Sequence, residues 1–257
     1  MDPIVVITPT IGRAEELERC LASVSGQDYG GPYEHLVVGD HLDVATAERT
    51  QRLCRRFEAR FVDDQRPVDT AYQPARIGRL RNLGIDSSRQ PLIAHLDDDN
   101  TFEPEHLSSL AGLLTDDASL DVAYGWRRVL DRSGRPVPLE RYPWVLGHRP
   151  EIAREVFEML AEEGFFEDGS PVIRDRIPDA HGDLFHVDSS EWLMHRRVVE
   201  AVRFRERYTP REMIYQYTDD YLFCRDAWRA GMSFGASGRV TLNYYLGGYF
   251  GGAGEAV

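Results

Sequence analysis

Leu92-Ile93-Ala94-His95-Leu96-Asp97-Asp98-Asp99-Asn100 sets a short apolar run directly against three consecutive carboxylates. The run has the length of a buried strand and is too short for a helix. Side chains alternate along an extended chain, so Asp97 and Asp99 are expected to point one way and Asp98 another. Three adjacent anions repel. A hard divalent cation, Mn²⁺ or Mg²⁺, would relieve that repulsion and keep positions open for water and phosphate oxygens. The plainer reading is a solvated acidic turn that caps a helix starting near Glu103. Position favours the site, because open α/β sheets bind ligands at the carboxyl ends of their strands.

Working outward, Ile4–Thr8, Leu36–Gly39 and Arg60–Val62 are further strand-like runs, separated by segments with helical spacing. Their alternation predicts a mostly parallel central sheet flanked by helices, an α/β class. Leu17, Cys20, Leu21 and Val24 share one helical stripe, as do Leu107, Leu110, Leu113 and Leu114 after Pro104. The second half is less regular. It contains a strand near Val122–Leu130, a turn at Ser133-Gly134 and a helix through Ile152, Val156, Met159 and Leu160. The Gly-, Pro- and Asp-rich stretch 163–183 reads as a long loop, mobile over a site. A helix follows Asp219 and stops at Gly231. The organisation expected is a regular half at 1–100 and a less regular, smaller half at 101–246 of one domain, with a flexible tail at 247–257.

Composition narrows the function. A formal charge of −13 on 257 residues opposes general nucleic-acid binding, which needs basic surface. A phosphate-bearing substrate therefore calls for a bridging cation or a local arginine cluster. No apolar run approaches the roughly 20 residues of a membrane span. Met1-Asp2-Pro3 leads straight into the first strand without a basic leader, and the three cysteines are widely spaced, so a reduced, cytoplasmic protein is expected.

Other candidates converge on the same edge. Thr8-Pro9-Thr10 and Asp40 end the first two strands and offer hydroxyls, backbone groups and a carboxylate to a nucleobase or ribose; each taken singly reads equally as a turn or cap residue. Arg76, Arg79 and Arg81 form a local basic cluster before the fourth strand, with Arg76 and Arg79 neighbours at i and i+3. Either could reach a diphosphate, or the face is simply solvated. Asp219-Asp220 opens a helix; one of the two is explained by the helix dipole, and either could serve as general base. Glu191-Trp192 combines a polar group with a ring suited to stacking on a carbohydrate, or belongs to a loop with one core tryptophan.

Together these residues resemble glycosyltransferase family 2, from the first strand to about Gly231. Ile4-Val5-Val6-Ile7-Thr8-Pro9-Thr10 with Arg13, Leu17, Leu21 and Gln27 is similar to that family's opening strand and helix. Val37-Val38-Gly39-Asp40 resembles its second strand, and Arg81-Asn82-Leu83-Gly84-Ile85 ahead of Asp97-Asp98-Asp99 resembles the approach to its DXD motif. Arg76 is placed like an arginine used on the nucleotide. The resemblance implies a GT-A (Rossmann-like nucleotide-binding) fold and a UDP- or GDP-linked sugar donor contacted by Thr8, Pro9, Thr10, Arg13, Asp40, Arg76, Arg81, Asp97 and Asp98. It also implies Mn²⁺ or Mg²⁺ at Asp97 and Asp99, and inverting transfer to a hydroxyl acceptor (glycan, lipid-linked sugar or small metabolite). The family's Glu-Asp pair falls on Thr218-Asp219, with Leu222 and Arg225 in register; on that register Asp219 is the base, and Glu191, Trp192 and Asp220 are left for the acceptor. Two departures stand out: threonine replaces the glutamate, and no histidine follows His195 to complete the metal. A sugar-nucleotide-binding module without catalysis and a nucleotidyltransferase are the competing functions. The second lacks its expected Gly- and Lys-containing phosphate loop after the first strand.

Overall fold

The computed structural model describes residues 1–144, 151–177 and 187–247. Strands β1 (Ile4–Thr10), β2 (Tyr33–Asp40), β3 (Arg60–Asp64) and β4 (Leu92–His95) alternate with helices α1 (Ala14–Ser25), α2 (Val44–Arg56) and α3 (Gln73–Asp86). These four strands are parallel in the order β3-β2-β1-β4. Every residue of β1 is buried, as expected for a parallel strand covered on both faces. Ile4 and Val6 face one core with Cys20 and Val24 of α1, while Val5 and Ile7 face the other with Leu80 and Ile85 of α3. Leu17, Cys20, Leu21 and Val24 are all buried, so the predicted stripe is the packed face of α1. Gly84 lets α3 lie close on the sheet, since a Cβ there would come within 2.4 Å of Ile7 Cγ2. That approach places Arg81, one turn earlier, against the end of β4.

Beyond β4 the sheet departs from the parallel expectation. The elements are β5 (Thr101–Phe102), α4 (His106–Asp116), β6 (Val122–Leu130), α5 (Ile152–Glu162), β7 (Val172–Ile173), β8 (Trp192–His195), α6 (Arg196–Ala201), α7 (Pro210–Ile214), α8 (Asp219–Arg229) and β9 (Phe234–Tyr245). Here β8 runs antiparallel to both β4 and β6, β9 is parallel to β6, and β5 and β7 add antiparallel edges. The mixed sheet therefore reads β3-β2-β1-β4-β8-β6-β9-β5, with β7 on β6. The alternation that predicts a parallel sheet ends with β4; β8 enters between β4 and β6 antiparallel to both, and among the later strands β6 and β9 pair in parallel.

The stretch 163–183 is partly ordered structure. Phe165 and Phe166 are buried with Phe157 and Leu160 of α5, and β7 pairs with β6, so apolar burial outweighs the Gly- and Pro-rich composition. Residues 178–183 of that stretch, and 248–257 of the expected tail, lie outside the described residues.

Candidate functional site

The carboxyl ends of β1, β2 and β4 lie side by side, and the acidic triplet sits at their edge. The chain turns at Asp98-Asp99, with the Asn100 amide donating to the Asp97 carbonyl at 3.0 Å. Strand alternation therefore stops before the triplet, and the carboxylates divide differently from the sequence expectation. Asp98 and Asp99 share the Arg13 guanidinium, Asp99 at 3.0 Å, and Asp98 also accepts from the Thr10 hydroxyl. Asp98 is only 3 % exposed and ties the end of β1 to the end of β4. Its role in this structure is to hold that edge together.

Asp97 turns the other way, toward α3 and α8. Arg81 Nη2 donates to Asp97 Oδ1 at 2.9 Å, and Arg81 Nε donates to Asp219 Oδ2 at 2.8 Å. A single buried guanidinium thus joins the carboxylate at the end of β4 to the first residue of α8. Arg81 is 2 % exposed and so does not present itself to a nucleotide; the correction follows from its being enclosed by two anions and the Phe204 ring. The backbone amide of Asp97 donates to Ser190 Oγ at 3.2 Å, which fixes the start of the turn.

The site is crowded with negative charge. Burial, and then the Asp98 charge working against Arg13, push Asp99 up to about 6. Burial also raises Asp97, reinforced by Asp188, Asp99 and Asp220 and opposed by Arg81; a third of its side chain meets water, which tempers the rise. Asp220, half-buried in the first turn of α8, is pushed up to about 6 by burial and the charges of Asp219 and Asp188. Asp219 is raised by burial, against the pull of Arg81. Carboxylates that destabilise one another in this way fit a cation. Among the described residues no three acidic, histidine or cysteine side chains form a ready-made metal cage. Asp97 and Asp99 feel one another's charge but are held by different guanidiniums, Arg81 and Arg13; a cation bound there would have these two carboxylates as its protein ligands and would be completed by water and phosphate oxygens.

At the end of β2 lies a polar cavity of about 120 Å³, lined by Asp40, Arg66, Thr70, Arg76, Arg79 and Arg207 among others, and by none of the carboxylates of this cluster. Asp40, at the end of β2, pairs with Arg76 at 2.7 Å. Arg79 is committed elsewhere: its Nε donates to Asp64 at 2.6 Å, and its Nη atoms donate to the carbonyls of Arg66 and Pro67 at 2.7 Å. It therefore shapes the cavity wall and is not free to meet a diphosphate. Thr8 is also turned inward, with its hydroxyl 2.9 Å from His35 Nε2, and Pro9 is buried within β1.

Asp64 carries a testable consequence. It is 3 % exposed; burial alone would raise its pKa, but hydrogen bonds from Arg66 and Arg79 hold the carboxyl well below the usual carboxylate range. A carboxyl depressed in the folded state contributes stability above its unfolded pKa of about 3.9 and loses it as pH falls below that value. Urea denaturation between pH 6 and pH 2 is expected to show Asp64→Asn losing less stability than the parent on the acid limb, by on the order of 2 kcal/mol. Parallel acid limbs would reject this role for Asp64.

Two acceptor candidates are corrected. Trp192 is wholly buried in β8, packed at 5.4 Å on Phe223 and 6.4 Å on Phe204, so its ring offers no face to a sugar. Glu191 is also fully buried; its Oε2 accepts from the Asp188 amide in a capping box, and Arg127 Nε lies 4.0 Å from Oε1. Both point inward because the 3₁₀ turn Ser189–Glu191 is sandwiched against β4, β6 and β9. The sequence reading overlooked Arg127, which pairs with Asp175 at 2.9 Å and Asp188 at 3.1 Å and lies 4.9 Å above Trp144 and 5.5 Å above Tyr244. A charged residue at a buried position of the apolar strand Val122–Leu130 was the signal that could have found it. Asp188 follows from it, since it joins the Arg127 network to the charge cluster around Asp97.

The chain matches the family model described as "Glycosyl transferase family 2" over residues 5–201. It is 33 % identical over 103 residues to an N-acetylglucosaminyltransferase of Rhizobium leguminosarum bv. viciae, a match spanning 40 % of this chain and 23 % of that protein. Its fold resembles S. aureus TarS residues 1–349 in complex with UDP (TM-score 0.62, 16 % identity, 95 % of this chain and 60 % of that one). It also resembles the mannosyltransferase PcManGT from Pyrobaculum calidifontis in complex with GDP-Man and Mn²⁺ (TM-score 0.59, 14 % identity, 96 % and 57 %). The chain thus spans about a quarter of the curated relative and about three fifths of these solved structures.

Proposed function

The chain belongs to glycosyl transferase family 2, and on that premise we propose that it moves a sugar from a UDP- or GDP-linked donor to a hydroxyl acceptor, with inversion, using Asp219 as general base and Mn²⁺ or Mg²⁺ at Asp97 and Asp99. The observation that carries this reading is the Arg81 bridge, in which the Nε and Nη2 of one guanidinium hold a candidate base and a candidate metal carboxylate. Asp40 and Arg76, at the cavity, receive the nucleoside. Thr10, Arg13 and Asp98 hold the edge on which the diphosphate lies. The cation, when bound, supplies positive charge to the departing diphosphate, so no proton donor is required there. Arg81 fixes one oxygen of Asp219 and leaves the carboxylate a second with which to take the acceptor proton. Asp220 lies beside it on the acceptor side. Three buried free thiols support a reducing, cytoplasmic setting, and no described helix is long and apolar enough to cross a membrane.

UDP or GDP at about 100 times its dissociation constant, with Mn²⁺, stabilises the fold by about 2.7 kcal/mol, which raises the melting temperature by about 5–10 °C. Asp97→Asn and Asp99→Asn are each expected to abolish the Mn²⁺-dependent part of that rise. Incubation with a donor panel then separates the functions. Release of nucleoside diphosphate supports transfer, pyrophosphate indicates nucleotidyl transfer, and no release indicates a binding module. A rise in melting temperature unaffected by both variants would reject the metal site.

A further inference from the structure

His95, the last residue of β4, is a buried imidazole to which the proposed reaction gives no role. Ile93, two residues earlier, packs with Leu80 and Ile85 of α3, so strand alternation turns His95 to the same face, toward the helix that carries Arg81. The ring is wholly enclosed, edge-on to Phe204 at 5.1 Å and to Trp192 at 6.4 Å. The Arg81 guanidinium lies 5.5 Å from the same Phe204 ring, which also stacks on Phe223 at 4.2 Å. Among the described residues, neither nitrogen of His95 has a hydrogen-bond partner, and neither do Arg81 Nη1 and Trp192 Nε1. A phenyl ring would fill such a box without cost, whereas a buried polar group left unpaired is destabilising. The leftover atoms are complementary. Arg81 Nη1 and Trp192 Nε1 can only donate, and a neutral imidazole carries one nitrogen that can only accept. Burial, reinforced by the Arg81 charge, keeps the ring neutral.

We propose that His95 is a positioning residue for sugar transfer, holding the Arg81 guanidinium by offering its lone pair to Nη1; the inference rests on the roles proposed above for Asp97 and Asp219. Nε and Nη2 lie along one edge of the guanidinium and are taken by Asp219 and Asp97. Held along that edge alone, the group can tilt. An acceptor at Nη1, which lies off the edge, fixes the plane of the fork. A direct approach or one enclosed water gives Nη1 the same acceptor. Because the imidazole is neutral, the whole charge of Arg81 stays with its two carboxylates. A tilt of Arg81 carries both of them with it, and a misplacement on the order of 1 Å costs a reaction about 10²-fold in rate.

The test pairs His95→Phe, which keeps the ring and removes the lone pair, with His95→Gln, which keeps an acceptor but fills the box less well. His95→Phe is expected to lower kcat about tenfold while donor KM and melting temperature stay near the parent, and His95→Gln to recover most of the lost rate. A role in packing alone would give the reverse order, with His95→Gln the worse variant. Nitrogen NMR of the full chain labelled in histidine supplies a readout that needs no turnover. The accepting nitrogen of His95, identified by its loss in His95→Gln, is expected upfield of an unbonded imidazole nitrogen and to stay there in Trp192→Phe, which removes the competing donor. A parent-like kcat in His95→Phe, an unshifted nitrogen in the parent, or a shift lost in Trp192→Phe would overturn the proposal. Failure of transfer with every donor, beside a shift that survives Trp192→Phe, would reject the reaction proposed above and support the contact between His95 and Arg81.

Discussion

Asp219→Asn is expected to lower turnover about 10²–10⁴-fold while donor affinity changes little, the pattern for loss of a group that acts only on the acceptor proton. Asparagine keeps an oxygen that can accept from Arg81 Nε, so the bridge to Asp97 survives and the fold is retained. Asp220→Asn is the necessary comparison. Asp220 is raised to about 6, near the range useful to a base, but it lacks the link through Arg81 to Asp97. A fall in kcat confined to Asp219→Asn, measured as nucleoside diphosphate release with acceptor present, assigns the base. Full activity in Asp219→Asn together with a collapse in Asp220→Asn would move the role one residue along the helix.

Replacing Arg127 by alanine is expected to cost about 3–5 kcal/mol, or roughly 10 °C in melting temperature. Asp175 and Glu191 are fully buried around this guanidinium, and Asp188 is nearly so. Removing the cation leaves their charges without its compensation and also takes the packed guanidinium from above Trp144 and Tyr244. Glu191 is already raised well above the usual carboxylate range, chiefly by burial and against the pull of Arg127, and the variant should raise it further. Carboxyls raised in the folded state bind protons more readily than the unfolded chain, so the deficit should shrink as pH is lowered from 8 toward 5. Urea denaturation at the two pH values measures it. A loss below about 1 kcal/mol, equal at both, would show that Arg127 is not the support for this side of the site.

The first half of the chain was largely legible from residue order. Apolar runs of strand length and the stripe Leu17, Cys20, Leu21 and Val24 marked which faces are buried, and the carboxylates at the ends of β2 and β4 fall on one sheet edge because parallel strands align their ends. Trp192 was misread because a ring beside polar residues has the same local pattern whether it lines a cleft or fills a core. Arg127 was overlooked because its partners Asp175 and Asp188 come from segments distant in the chain.

By itself, then, the amino-acid order determined the parallel half of the sheet, the packed faces of its helices and the presence of an acidic edge, since these depend on local periodicity and on charge adjacent to strands. Tertiary structure alone decided which carboxylates meet which cations. Arg81 and Asp219 lie 138 residues apart and Thr10 and Asp98 lie 88 apart, and such pairs form only when packing of separate elements excludes water and makes an unpaired buried charge too costly to keep.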